Sequence, residues 1–157
     1  MSDYAIGSYI EFTDWEGNPV GLNFQNFHRN ESRSFDGATY MPAEFGFSGS
    51  SGSLEGADVT SELVFATSDL MLSTAKQAAD EFWLVNVRTV WLDPDTLAEG
   101  SIYSEEVFSV QSFANDLQRV IMTLGSPLDA FTAEVPRRIL SRVAVGSLPS
   151  TGNVPLI

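Results

Sequence analysis

No cysteine and only one histidine occur among the 157 residues. Disulfides, thiolate nucleophiles and cysteine- or histidine-clustered metal sites are therefore excluded. Basic residues are scarce as well: 8 Lys and Arg stand against 21 Asp and Glu, a formal net charge of −13. A protein that grips nucleic acid through its phosphates needs the opposite balance. Apolar runs are short, and none approaches the ~18 residues that span a bilayer. Residues 1–20 show neither a basic start nor an apolar h-region, so no secretory signal is expected. What is present is globular: 43% hydrophobic and 11% aromatic residues, at a length that suits one domain with a buried core.

The charge is unevenly placed. Residues 1–118 hold 19 of the acids and 4 of the basic side chains, whereas Arg119, Arg137, Arg138 and Arg142 all lie beyond them. Ordinary acidic solubility explains much of this. An assembly in which a basic C-terminal end meets an acidic neighbour would use it.

Strand signals dominate the chain. Tyr9 to Phe12 alternates and leads into Trp15-Glu16-Gly17-Asn18, a turn where positive φ is cheap, with Val20 to Phe24 as the return strand. Asp36-Gly37 has the chemistry of a type I′ turn, which predicts that Phe35 and Tyr40 face one another across a hairpin. Pro42 cannot donate to a ladder, so pairing should fade there. Val59 to Ala66 reads as a strand with Leu63 and Phe65 on one face. Phe82 to Leu92 is the strongest, with Trp83, Val85, Val87, Thr89 and Trp91 sharing a face by period two. Asp93-Pro94-Asp95 ends it. Ile102 to Phe113 and Leu117 to Leu124 form a hairpin across Asn115-Asp116. One helix is predicted over Leu70 to Ala79, capped by Thr67 or Ser68, with Leu72, Ala75 and Ala79 as its apolar stripe and Met71 beside it. Beyond it, Pro127, Pro136, Pro149 and Pro155 suit an extended arm.

Chemistry finds little foothold. His28 has no partner in sequence that would make it a general base. Gly46 to Ser53 fails the nucleophile-elbow pattern, because position 50 is Ser50, and lacks a phosphate-loop lysine. Glu105 and Glu106 are adjacent on a strand and point to opposite faces, so they would not converge on one substrate. Asp93 and Asp95 lack the further acids of a calcium loop. No enzyme site is recognisable and no cofactor is implied.

The string Phe35-x-Gly37-x-x-Tyr40-x-Pro42, followed by Phe47-Ser48-Gly49 and Leu54-Glu55-Gly56, resembles the first domain of phage minor tail proteins of the L-like family, found at lambda-type tail tips and as hubs in gene-transfer particles. A second anchor runs from Val120 to Ala130 through Ser126-Pro127 and ends in Val135-Pro136-Arg137-Arg138. The resemblance covers about Phe24 to Leu140. It implies a mainly β (α+β) fold, a tail-tube-like β-sandwich or half-barrel with one flanking helix, over residues 1–145, and an extended C-terminal arm over 146–157. Many family members continue into a cysteine-rich iron–sulfur domain; with no cysteine here, that cofactor is not carried over.

The resemblance also implies a job. The expectation is a non-enzymatic virion protein at the tail tip, assembled in the host cytoplasm. It would form a ring of three or six copies that joins the tail tube or distal tail protein to the central hub, spike or baseplate. DNA would be passing cargo only, and no membrane is involved. Arg137, Arg138 and Arg142 are expected at an interface, and some of Glu11, Glu62, Glu105 and Glu106 on the inner wall. A receptor- or carbohydrate-binding β-sandwich module on the tail tip is the alternative, with Trp15 and Phe47 as its aromatic candidates.

Overall fold

A computed structural model describes residues 4–49 and 61–127. Leu54, Glu55 and Gly56, the Ser50–Ser53 stretch, Val59, the arginines Arg137, Arg138 and Arg142, and the 146–157 tail lie outside the described residues. The elements run β1 (Ala5–Thr13), β2 (Pro19–Gln25), β3 (Arg33–Phe35), β4 (Ala38–Pro42), β5 (Phe45–Phe47), β6 (Ser61–Ala66), α1 (Asp69–Asp80), β7 (Leu84–Leu92), β8 (Glu99–Asn115) and β9 (Arg119–Gly125). All nine strands join one sheet in the order β3-β4-β2-β1-β7-β8-β9-β6-β5. Every pairing is antiparallel except β2 with β4. Among the described residues no helix is long and apolar enough to cross a membrane.

The fold is the expected mainly β one with a flanking helix, and its open mixed sheet curls on itself toward a half-barrel. Phe24 on β2 and Phe65 on β6 are far apart in strand order, yet their rings meet at 5.8 Å. Only a curled sheet allows that contact. Register shifts at Glu11/Thr13, Val110/Ser112 and around Val90 sharpen the twist. The remaining gap is crossed by the chain itself: β4 pairs with β2, and after Ala43-Glu44 the same extended run becomes β5 and pairs with β6. Ala43 N–H donates to Gln25 C=O at 2.9 Å, and Ala66 N–H to Glu44 C=O at 3.2 Å.

Two cores occupy opposite faces. The inner one gathers Ile10, Phe12, Phe24, Leu63, Phe65, Val85, Val87, Val110, Met122 and Leu124 with one side of α1. Each such side chain contributes about 1.5–3 kcal/mol on burial. The outer core is smaller and lies under the β3–β4 hairpin: Tyr9, Tyr40, Val90 and Leu92, packed by Phe27 and Phe35. Strand β7 serves both, burying Val85 and Val87 on one face and Val90 and Leu92 on the other.

Three details differ from the sequence expectations, while the helix cap is one of the two expected. Phe35 pairs with Ala38, and Tyr40 with Arg33. Asp36 and Gly37 alone form the turn, at φ 48° and 80°, so Phe35 and Tyr40 share a face as diagonal neighbours with rings 6.4 Å apart. The apolar side of α1 is rotated: Met71, Thr74, Ala75 and Ala78 are buried, whereas Leu72 and Ala79 sit at the margin. Ser68 is the cap, its hydroxyl accepting from Met71 N–H at 3.1 Å. Finally, β7 starts at Leu84 because Phe82 ends the helix. Phe82 takes a left-handed φ of 53°, and Trp83 N–H reaches back to Ala78 C=O at 2.9 Å, the Schellman arrangement with phenylalanine in glycine's usual place.

Candidate functional site

Pairing register places the four glutamates. Glu11 on β1 and Glu105 on β8 both flank Arg88 on β7, on the outer face. Glu62 shares that face, opposite Thr123, but stands on β6 across β7, β8 and β9. Glu106 pairs with Val87 and therefore lies on the inner side. The adjacent glutamates thus have different surroundings, as strand alternation requires.

Arg88 is the centre of the outer-face cluster. Its Nε donates to Glu105 Oε1 at 2.9 Å, and its terminal nitrogens reach Asp36 Oδ2 at 3.3 Å and Glu11 Oε2 at 3.8 Å. Asn86 Nδ2 also donates to Glu105, at 2.8 Å. This amide, then Arg88, holds the Glu105 carboxyl below its usual range. One cation among three carboxylates leaves the cluster negative. Tyr40 lies beneath it, fully buried, with a hydroxyl that has no partner; burial and the Glu11 charge raise its pKa. From sequence, Asp36 has only a turn role and Arg88 no site role, although a lone cation inside Leu84–Leu92 is an available signal.

A second feature sits where the half-barrel closes. A cleft of about 750 Å³ is bounded by His28, Arg29, Glu44, Val64 and Arg119. The loop bearing His28 is tied down by Gln25, which is fully buried. Its Oε1 accepts from Phe27 N–H and His28 N–H at 3.0 and 2.7 Å, and its Nε2 donates to His28 C=O and Glu31 C=O at 2.7 and 3.0 Å. The His28 ring meets the Arg33 guanidinium, which gives that histidine a structural partner. Among the described residues no three His, Asp or Glu side chains are grouped to hold a metal ion.

No protein-family model matches the chain, and no curated protein matches it. Among solved structures it resembles a chain of the "Virion of native gene transfer agent (GTA) particle", with a TM-score of 0.48 and 14% identity. The likeness covers 85% of this chain and 44% of that one, so the present chain spans less than half its length.

Aromatic candidates for sugar binding separate. Trp15 is exposed at the β1–β2 turn. Phe47 belongs to β5 and packs on Phe108 at 5.5 Å, against the inner core.

Proposed function

We propose that the chain is a structural protein of a phage-like particle, forming a ring at the tail tip that joins the tail tube to the central hub or baseplate. The observation that supports this best is what the hairpin string builds. Asp36-Gly37 turns the hairpin that covers the outer core, and the run from Tyr40 through Pro42 to Phe47 closes the half-barrel. Within the described residues, the first part of the resemblance, Phe35 to Phe47, thus builds the hairpin and the closure of the sheet. The edge strands β3 and β5 are three residues each, short enough to limit indiscriminate pairing while leaving ladder groups for a neighbour.

In this reading three or six copies meet head to tail through unlike patches, as cyclic symmetry requires. The neighbours are the tube or distal tail protein on one side and the hub or spike protein on the other. Glu11, Glu62 and Glu105 face DNA that passes without binding, and Arg137, Arg138 and Arg142 lie at an interface. No catalysis is proposed. Purified protein at high micromolar concentration is expected to scatter light as rings or larger assemblies, with rings visible in electron micrographs. A stable monomer at that concentration overturns the ring. The receptor-binding alternative rests on exposed Trp15 alone and predicts a monomer whose binding to host envelope glycans is lost in Trp15→Ala.

A further inference from the structure

Past the barrel, the β1–β7–β8 strands continue as a three-stranded arm whose two faces differ. The outer face is covered by the β3–β4 hairpin over Tyr9, Val90 and Leu92. The other face carries Ile6 and Trp91, which are register partners, with the Tyr4 and Tyr103 rings 5.4 and 5.0 Å from Trp91. Tyr4, Ile6 and Tyr103 are 67%, 56% and 61% exposed. Contiguous exposed apolar groups of this kind mark a surface that is meant to be covered. The Trp91 ring is tilted 59° and 73° to its two neighbours, so the rings form notches rather than a flat stack.

We propose that this aromatic patch receives the Leu148–Ile157 segment of an adjacent copy of the chain. That segment is Leu-Pro-Ser-Thr-Gly-Asn-Val-Pro-Leu-Ile, with two prolines among aliphatic residues and no charged side chain. Proline-bearing extended segments dock on aromatic-lined surfaces because little conformational entropy is lost in the process. Charge favours the same placement. Arg137, Arg138 and Arg142 precede the segment, while Asp93 and Asp95 occupy the turn between β7 and β8 at the tip of the arm. Arg142 and Leu148 can stand about 20 Å apart when extended, enough to bridge tip and patch.

The described chain ends far from the patch. Gly125 and Leu84 both pair with Ser109, whereas the patch surrounds Trp91 at the opposite end of β7, roughly 25 Å away along the strand. The stretch between Pro127 and Leu148 has an extended length of up to about 70 Å, enough to reach an adjacent subunit as well as the same copy. The choice of an adjacent copy rests on the proposed ring.

The absence of cysteine makes the test direct. Full-length Ile6→Cys and Leu156→Cys variants are prepared separately, mixed and mildly oxidised. The expected product is a mixed disulfide-linked dimer, verified by mass spectrometry. Its yield should fall about tenfold when Trp91→Ser or Tyr103→Ser is added to the Ile6→Cys chain, with circular dichroism checking that the fold persists. No mixed dimer, closure only within a chain that carries both substitutions, or Ile6→Cys linking only to itself would each overturn the proposal. Rings in micrographs without the mixed dimer would remove the docking and spare the tail-tip reading. The mixed dimer without rings would do the reverse.

Discussion

Single side chains at the outer core make sharp energetic claims. Tyr9 is fully buried, stacks on Phe35 at 4.3 Å and donates its hydroxyl to Glu99 Oε1 at 2.7 Å. Burial, then this bond, raises the phenol far above its usual range, while the same bond draws the Glu99 carboxyl below its own. Tyr9→Phe should cost about 1 kcal/mol at pH 7, a charged hydrogen bond discounted for the partial exposure of Glu99. Because the folded carboxyl titrates lower than the unfolded one, this stabilisation is complete above the unfolded value of 4.5 and is lost as pH falls through the folded value. Urea unfolding at pH 7 and pH 3 should therefore show the gap between the two proteins shrinking in acid. Gln25 is the stronger case. Gln25→Leu keeps the volume but strands four backbone groups of the 26–32 loop, and about 3 kcal/mol should be lost, measured by the same unfolding. A loss below about 1 kcal/mol would mean that water replaces those bonds.

At the level of elements, the two ends of α1 make opposite predictions. Ser68→Ala removes the cap hydroxyl and should cost about 1 kcal/mol. Phe82→Gly relieves a left-handed residue that is 59% exposed and should stabilise by about 0.5–1 kcal/mol. Calorimetric midpoints moving in opposite directions would verify the pair. Phe82 also shows where sequence patterning stops. Its apolar side chain fits the period-two run into β7, so nothing local reveals that the helix needs a left-handed residue there. The strands were legible because their alternation is strong, and Leu63 and Phe65 are buried as expected. Facing Phe35 with Tyr40 is off by one pair, because it leaves Ala38 and Thr39 in the turn although they already belong to β4. The rotation of α1 was hidden because Thr74 is buried as readily as its apolar neighbours. Among the proposed site residues, alternation placed Glu105 and Glu106 on opposite faces, but only long-range pairing brings Glu11, Asp36 and Arg88 together.

For the whole molecule, the uneven charge gives a prediction about assembly. An exposed ion pair contributes only about 0.2–1 kcal/mol, so a useful basic contact needs several arginines acting at once. Replacing Arg137, Arg138 and Arg142 together with serine should leave the melting temperature within a degree or two and reduce the yield of complete tails in micrographs. Normal tails from that triple variant would dismiss the interface. The arm that carries the aromatic patch has one more consequence, a mechanical one. Strand β7 is flanked by antiparallel partners along its length, and its ladder bonds run perpendicular to the strand. Tension applied at the tip along the strand direction would load those bonds simultaneously, in shear, so that none can be unzipped before the rest. Pulling across the sheet would meet them one at a time. The molecule should be stiff along its strands and weak across them, which is the anisotropy required of a part that is tugged along a single axis.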